Sequence, residues 1–187
     1  MMQFRLAGTG GQGQILAAII LAEAAVASDQ LYAAQSQSYG PESRGGASRA
    51  EVVISESPID YPKVDKPDFL LCMSQQGFDK YQDDVAEDGT ILVDTSLVTV
   101  PETHRHSRVV GCKITETARK NLGRQVVANI IALGLLVRLT EVVSPEAAKK
   151  AIANRVPSGT ESLNLQAFDL GFELDPSLDC FGLDRSF

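Results

Sequence analysis

The chain has 187 residues, 44% of them hydrophobic, enough for one domain with a substantial core of Leu, Ile, Val and Ala, since tryptophan is absent. A net charge of −7 argues against nucleic acid as a main partner, because phosphate-backbone binding needs clustered Lys and Arg. No basic, hydrophobic signal segment opens the sequence and no apolar run reaches the roughly 18 residues of a membrane span, so a cytoplasmic protein with no membrane segment is expected.

A short apolar strand from Phe4 to Ala7 runs into Gly8-Thr9-Gly10-Gly11-Gln12-Gly13, and an alanine-rich helix follows from Gln14 to Ala27. Gly8, Gly10 and Gly13 match the G-x-G-x-x-G spacing. A strand, a tight glycine turn and a helix aim free N–H groups and the positive helix end at one point. A nucleotide-like or phosphate-bearing ligand is therefore the first hypothesis. The same glycines would serve if they only allowed close packing against a neighbour. A dinucleotide fits poorly, because it wants an acidic residue at the end of the second strand. Here Asp29 precedes the strand Leu31–Gln35, which exits into the uncharged Gln35-Ser36-Gln37. The helix from Gln14 is apolar on nearly every face, with Glu23 its only charge, so the rest of the domain or another chain must cover it.

The stretch from Gln37 to Arg49 is polar, rich in glycine and longer than an ordinary connection. Its mixture of Tyr39, Pro41, Glu42 and Arg44 predicts an ordered binding or interface loop. Arg44 could clamp a carboxylate or phosphate with its planar fork, or pair internally with Glu42.

Strand Ala50–Ile54 follows, then a proline-bracketed crossing from Pro58 to Pro62. Asp68–Met73 and Thr90–Asp94 read as buried strands, and Ser74 caps a helix between them that runs to about Glu87. Ligands of open α/β sheets sit beyond the carboxyl ends of the strands. On that rule Asp94, Thr95, Ser74, Gln75 and Gln76 approach the glycine turn, unless each is only a cap or turn former. His104 and His106 alternate with arginine and have no carboxylate or cysteine at ligand spacing, so no metal site is expected. No pairing for nucleophilic catalysis emerges, and no catalytic residue is assigned.

Val109–Cys112 reads as the last strand, followed by an apolar helix from about Gln125 to Leu139, relieved only by Asn129 and Arg138. It is either buried or meets a partner. Ser144-Pro145 open a helix to about Asn154, and Thr160 caps a final one to about Leu170, closed by Gly171. Residues 1–174 thus form one domain and residues 175–187 a tail. The expected class is α/β: three layers, a mostly parallel Rossmann-like sheet and helices on both faces. Cys72, Cys112 and Cys180 are widely spaced without a C-x-x-C pair, and read as reduced, mostly buried thiols. Three such cysteines cannot hold a [4Fe–4S] cluster, which takes four ligands.

The turn Gly8–Gly13, the loop Tyr39-Gly40-Pro41-Glu42-Ser43-Arg44-Gly45-Gly46 and the element Pro58-Ile59 with Tyr61-Pro62 occur in that order. Together with Arg155-Val156-Pro157-Ser158-Gly159-Thr160-Glu161 and Leu163-Asn164, they resemble the gamma subunit of 2-oxoacid:ferredoxin oxidoreductases. The match is nearer the 2-oxoglutarate or 2-oxoisovalerate branch, and it covers about residues 2 to 174. The resemblance implies a subunit, inactive alone, of an enzyme that decarboxylates a 2-oxoacid on thiamine diphosphate with Mg, passes electrons through [4Fe–4S] clusters to ferredoxin, and forms acyl-coenzyme A. None of these cofactors is expected to be held by this chain alone. Alpha, beta and delta (or fused) subunits would carry thiamine and clusters, and the isolated chain could pair as a homodimer. Gly8, Thr9, Gly10, Gly11, Gln12, Gly13, Tyr39, Glu42 and Arg44 would then face coenzyme A or a neighbouring chain. Two other readings stay open: a docking subunit without a ligand, and a free-standing nucleotide-binding enzyme.

Overall fold

Seven strands form one sheet in the order β2-β3-β1-β4-β5-β6-β7. The strands are β1 (Met2–Thr9), β2 (Tyr32–Gln37), β3 (Ala47–Ser55), β4 (Phe69–Cys72), β5 (Thr90–Asp94), β6 (Arg108–Cys112) and β7 (Phe181–Gly182). The computed structural model describes residues 1–27, 30–37, 47–101, 108–174 and 181–182. β1, β4, β5 and β6 run parallel, and β2, antiparallel to β3, shares their direction; only β3 and β7 oppose it. The mostly parallel α/β architecture expected from the sequence is therefore present, with one rearrangement. β3 lies between β1 and β2, so the second strand of the chain is not the neighbour of the first.

Helices cover both faces. α1 (Gln14–Ala27), α3 (Ile114–Leu122), α4 (Ala128–Thr140), α5 (Pro145–Arg155) and α6 (Glu161–Glu173) share one continuous core with Phe4, Leu6, Val52, Leu71, Leu92 and Val110. α2 (Gln75–Tyr81) packs Phe78 and Tyr81 on the opposite face, against Ala7, Leu70, Ile91 and Val109. The alternation of Leu6 and Ala7 between these cores is the period of a strand buried on both sides.

Two open alternatives are decided by the fold, the burial of α4 and the cover over α1, and other expectations need correction. Every residue of α4 from Ala128 to Val137 is buried by the chain itself, so this helix needs no partner. α1 is covered by the sheet and by α5, to which Glu23 is tied through an ion pair with Arg155; Val26 remains 53% exposed. Gly171 does not close α6 but lies within it. A side chain there would collide with the Ile131 carbonyl, as one at Gly134 would with the Phe168 carbonyl, so the two glycines let α4 and α6 approach backbone to backbone. α2 ends at Tyr81, and a single tight turn, Gln82–Asp84, replaces the helix expected to Glu87. Asp84 is drawn instead to Arg5, whose Nη1 donates to its Oδ2 at 2.6 Å. β6 is not the last strand, since Phe181 and Gly182 pair with Gly111 and Val110. The cysteines are not all reduced: Cys72 is a free, buried thiol, whereas Cys112 is disulfide-bonded. Spacing along the chain could not reveal this, because a disulfide is set by which Cβ atoms the tertiary fold brings together. Cys180 lies outside the described residues.

Arg5 anchors the strand side of the domain. It is 3% exposed, and its guanidinium donates to Glu51 Oε1 at 2.8 Å, to Asp84 and to the Val64 carbonyl at 2.8 Å, over the Tyr81 ring. Such a buried ion is tolerated because its donors are directed at partners in the fork geometry that arginine provides.

Candidate functional site

β1 hands the chain to α1 on one face of the sheet, and its neighbour β4 hands the chain to α2 on the other. A crevice opens where two adjacent parallel strands send their connections in opposite directions, and ligands of such sheets gather there. The glycine turn occupies that point. Gly10 and Gly11 are exposed, Gly8 is buried at the end of β1, and Thr9, Gln12 and Gly13 are half-buried. Gly11 and Gly13 have φ of +88° and +74°, which side chains with a Cβ rarely adopt.

The turn is closed from within. The Thr9 N–H donates to Gln12 Oε1 at 2.7 Å, and Gln12 Nε2 donates across the crevice to the Met73 carbonyl at 2.8 Å. The Met73 N–H donates to the Ala7 carbonyl at 2.8 Å, so the ends of β1 and β4 are joined twice. Asn129 Nδ2 donates to the Gly13 carbonyl at 3.1 Å. A Cβ on Gly8 would lie 2.5 Å from Gln12 Oε1, and one on Gly13 would lie 2.5 Å from Asn129 Nδ2. Gly8 and Gly13 therefore admit amide side chains that shape the turn, whereas Gly11 has nothing within 4 Å of its missing Cβ. Close packing, one of the uses foreseen for the glycines, occurs at Gly8 and Gly13, whereas Gly11 faces open space.

Beside the turn lies a cleft of about 280 Å³ lined by Gly11, Gln12, Met73, Thr115, Gln125, Val126 and Ala128. None of these lining residues is charged. Thr115 is held there by Asp94, a fully buried carboxylate that accepts from the Thr115 N–H at 2.9 Å, from the Thr115 hydroxyl and from the Ser96 N–H at 3.0 Å. Asp94 thus acts as the cap that α3 lacks among its own residues, and it touches the cleft only through Thr115. Ser74 Oγ accepts from the Gly77 N–H at 3.1 Å and caps α2; Gln75 bridges to Thr99. Thr95 lines a separate apolar cavity with Val93, Val98 and Val109. Of the residues expected near the turn, Ser74 follows Met73, whose carbonyl Gln12 holds, and Asp94 reaches the cleft only through Thr115, while Gln75 and Thr95 are engaged elsewhere.

Tyr39, Glu42 and Arg44 lie outside the described residues, as do His104, His106 and Asp29. The anchors of the loop that carries Arg44 are described. β2 ends at Gln37, and β3 begins at Ala47, which pairs with Thr9 of the glycine turn. The dinucleotide reading loses its basis here, because β3 separates the end of β2 from β1. Thr115, Gln125, Val126 and Ala128 were not foreseen; Asn129 had a signal, as one of two polar residues in an apolar helix. Among the described residues no three His, Cys, Asp or Glu side chains gather to hold a metal, and no helix is long and apolar enough to cross a membrane.

The family model for pyruvate ferredoxin/flavodoxin oxidoreductase matches residues 3–174. The chain belongs to that family. It is 52% identical over 181 residues to the 2-oxoglutarate synthase subunit KorC of Methanocaldococcus jannaschii, covering 94% of this chain and 95% of that one. The crystal structure of the keto/oxoacid ferredoxin oxidoreductase gamma subunit from Geobacter sulfurreducens superposes with a TM-score of 0.83 at 47% identity, over 92% of this chain and 97% of that one. The 2-oxoglutarate:ferredoxin oxidoreductase from Magnetococcus marinus, solved with 2-oxoglutarate, coenzyme A and succinyl-CoA bound, shares the fold at 22% identity and a TM-score of 0.79. There the likeness covers 91% of this chain but 30% of the longer one. The same fold thus occurs both as a separate subunit and as one part of a larger polypeptide.

Proposed function

We propose that the chain is the gamma subunit of a 2-oxoglutarate:ferredoxin oxidoreductase, working in the cytoplasm with companion subunits that hold thiamine diphosphate, Mg and the [4Fe–4S] clusters. The observation that carries this reading is 52% identity to a 2-oxoglutarate synthase subunit over nearly the full length of both chains. Division of labour follows from the donor set. One described cysteine is shut inside the sheet and another is bonded in a disulfide, so the described residues do not fit a cluster.

The residues do fit part of coenzyme A. Gly13 has no side chain with which to cap α1, and the first turn of that helix holds no acidic residue, so its positive end is left for a ligand. The adjoining cleft is near the lower end of the ~300–1,000 Å³ typical of ligand pockets, suited to an arm of the molecule rather than the whole. Coenzyme A, when bound, supplies the thiol that carries off the acyl group. This chain's contribution is position: Gly10 and Gly11 offer backbone N–H groups, Gln12 keeps the turn in shape, and Arg44 adds a guanidinium for a phosphate. Gly11→Val in the assembled complex should raise the KM for coenzyme A well beyond any change in the KM for 2-oxoglutarate. Equal changes in both would make the turn a docking surface. That second reading draws on the internal closure of the turn by Gln12.

A further inference from the structure

The first residue of α1 carries a side chain that the fold does not use. Gln14 is 2% exposed, and neither its Nε2 nor its Oε1 has a hydrogen-bond partner. Two buried polar atoms without a partner are a standing cost, and a native chain rarely keeps them without a role. The direction of the side chain is informative. A Cβ on Gly8 would lie 3.1 Å from Gln14 Cγ and 3.3 Å from its Nε2, next to Gln12 Oε1. Gln14 therefore folds back under the glycine turn, as helical side chains lean toward the amino terminus. Over Gly8 two carboxamides lie side by side. That of Gln12 is satisfied by Thr9 and Met73, and that of Gln14 is idle.

We propose that Gln14 is a specificity-determining residue of the glycine-turn site, its carboxamide bonding to the amide groups of the ligand. The inference rests on the reading that the turn takes coenzyme A, whose pantetheine arm carries secondary amides. The chemistry selects that part of the molecule. A carboxamide presents a donor and an acceptor in one plane. A phosphate would satisfy Nε2 and strand Oε1, whereas the amides of the arm, each with its C=O and N–H on opposite sides, offer a carbonyl to Nε2 from one and an N–H to Oε1 from the other. The uncharged lining of the neighbouring cleft agrees with a neutral arm. Gln14 is closed to solvent, so the proposal requires the exposed Gly10-Gly11 segment, where Gly11 has no side chain, to shift as the ligand binds.

The test is Gln14→Leu, close in size and without polar atoms, with the isosteric Gln14→Glu as a second variant and Gly11→Val as a control for the site. The unfolding midpoint of the full chain is measured, and pantetheine and ADP are titrated separately into the assembled complex. Gln14→Leu should raise the midpoint by a few degrees by removing the unpaired atoms. Both Gln14 variants should weaken pantetheine binding roughly tenfold, as loss of one buried hydrogen-bonded contact does, and leave ADP binding as it was. Unchanged pantetheine affinity in Gln14→Leu, or a chain that no longer folds without the amide, overturns the proposal. If Gly11→Val also leaves both probes unaffected, the assignment of coenzyme A to the turn fails with it. If Gly11→Val weakens them and Gln14→Leu does not, only the role of Gln14 falls.

Discussion

Replacing Gly11 or Gly13 by alanine separates the two jobs glycine does in the turn. Both residues have positive φ, so each alanine should incur a left-handed penalty of about 1–2 kcal/mol. Nothing else opposes a methyl at Gly11, which has open space around it. At Gly13 the new Cβ would lie 2.5 Å from Asn129 Nδ2 and 3.0 Å from its Cγ, and Asn129 is the residue that donates to the Gly13 carbonyl. Moving Asn129 aside gives up that bond, about 0.5–1.5 kcal/mol. Because Asn129 is 4% exposed in the packed wall of α4, the displacement adds overpacking strain of about 1 kcal/mol or more. Gly13→Ala should therefore cost about 3 kcal/mol and Gly11→Ala about 1 kcal/mol, the spread coming from Asn129 alone. Urea unfolding of the whole chain, with unchanged m-values, measures both. The double variant Gly13→Ala with Asn129→Ala should cost less than the sum of its parts, because the second change removes the obstacle met by the first. Equal losses for the two glycines, or strict additivity in the double variant, would refute the assignment of Asn129 as the constraint.

Arg5→Leu leaves Glu51, 9% exposed, without its main partner, and should destabilise the domain by about 3–5 kcal/mol in the same urea assay, with Arg5→Leu/Glu51→Leu recovering much of the loss. Gly171→Ala drives a methyl into the Ile131 carbonyl. It should lower stability by about 3 kcal/mol or prevent folding, whereas an alanine at the open Gly159 should cost roughly 1 kcal/mol, a contrast that thermal melts resolve. Burial, reinforced by the charge of Asp79, pushes the Cys72 thiol far above its ordinary range. Cys72 should therefore resist iodoacetamide at pH 8 in the folded chain and react once guanidinium unfolds it, followed by mass spectrometry of the peptide.

Most helices and strands were legible because their signals are local. The Ser144-Pro145 start of α5 is a side-chain cap with proline in the first turn, and the structure reproduces both features. α3 was missed although Ile114, Ala118 and Leu122 recur at helical spacing and Gly123 ends the helix at φ +64°. Its apolar stripe is three residues long among charges, and its amino end is held by Asp94 from a different strand. Gly171 was misread for a related reason: a glycine near the end of an apolar pattern reads as a stop, and only the facing backbone of α4 makes it an interior contact. Within the site, the turn was visible by its spacing, while Thr115, Gln125 and Val126 reach it from segments more than a hundred residues away.

Composition and side-chain periodicity pointed to an α/β domain, the glycine spacing marked the turn as its point of interest, and the family entered through the resemblance of the ordered motifs. The insertion of β3 beside β1, the close approach of α4 and α6, the Arg5 network and the idle amide of Gln14 were decided only in three dimensions. The reason is physical: turn chemistry and side-chain periodicity act over a few residues of chain. Strand neighbours, backbone contacts and the pairing of buried polar groups depend on what distant segments bring to the same place, and no local pattern encodes that partner.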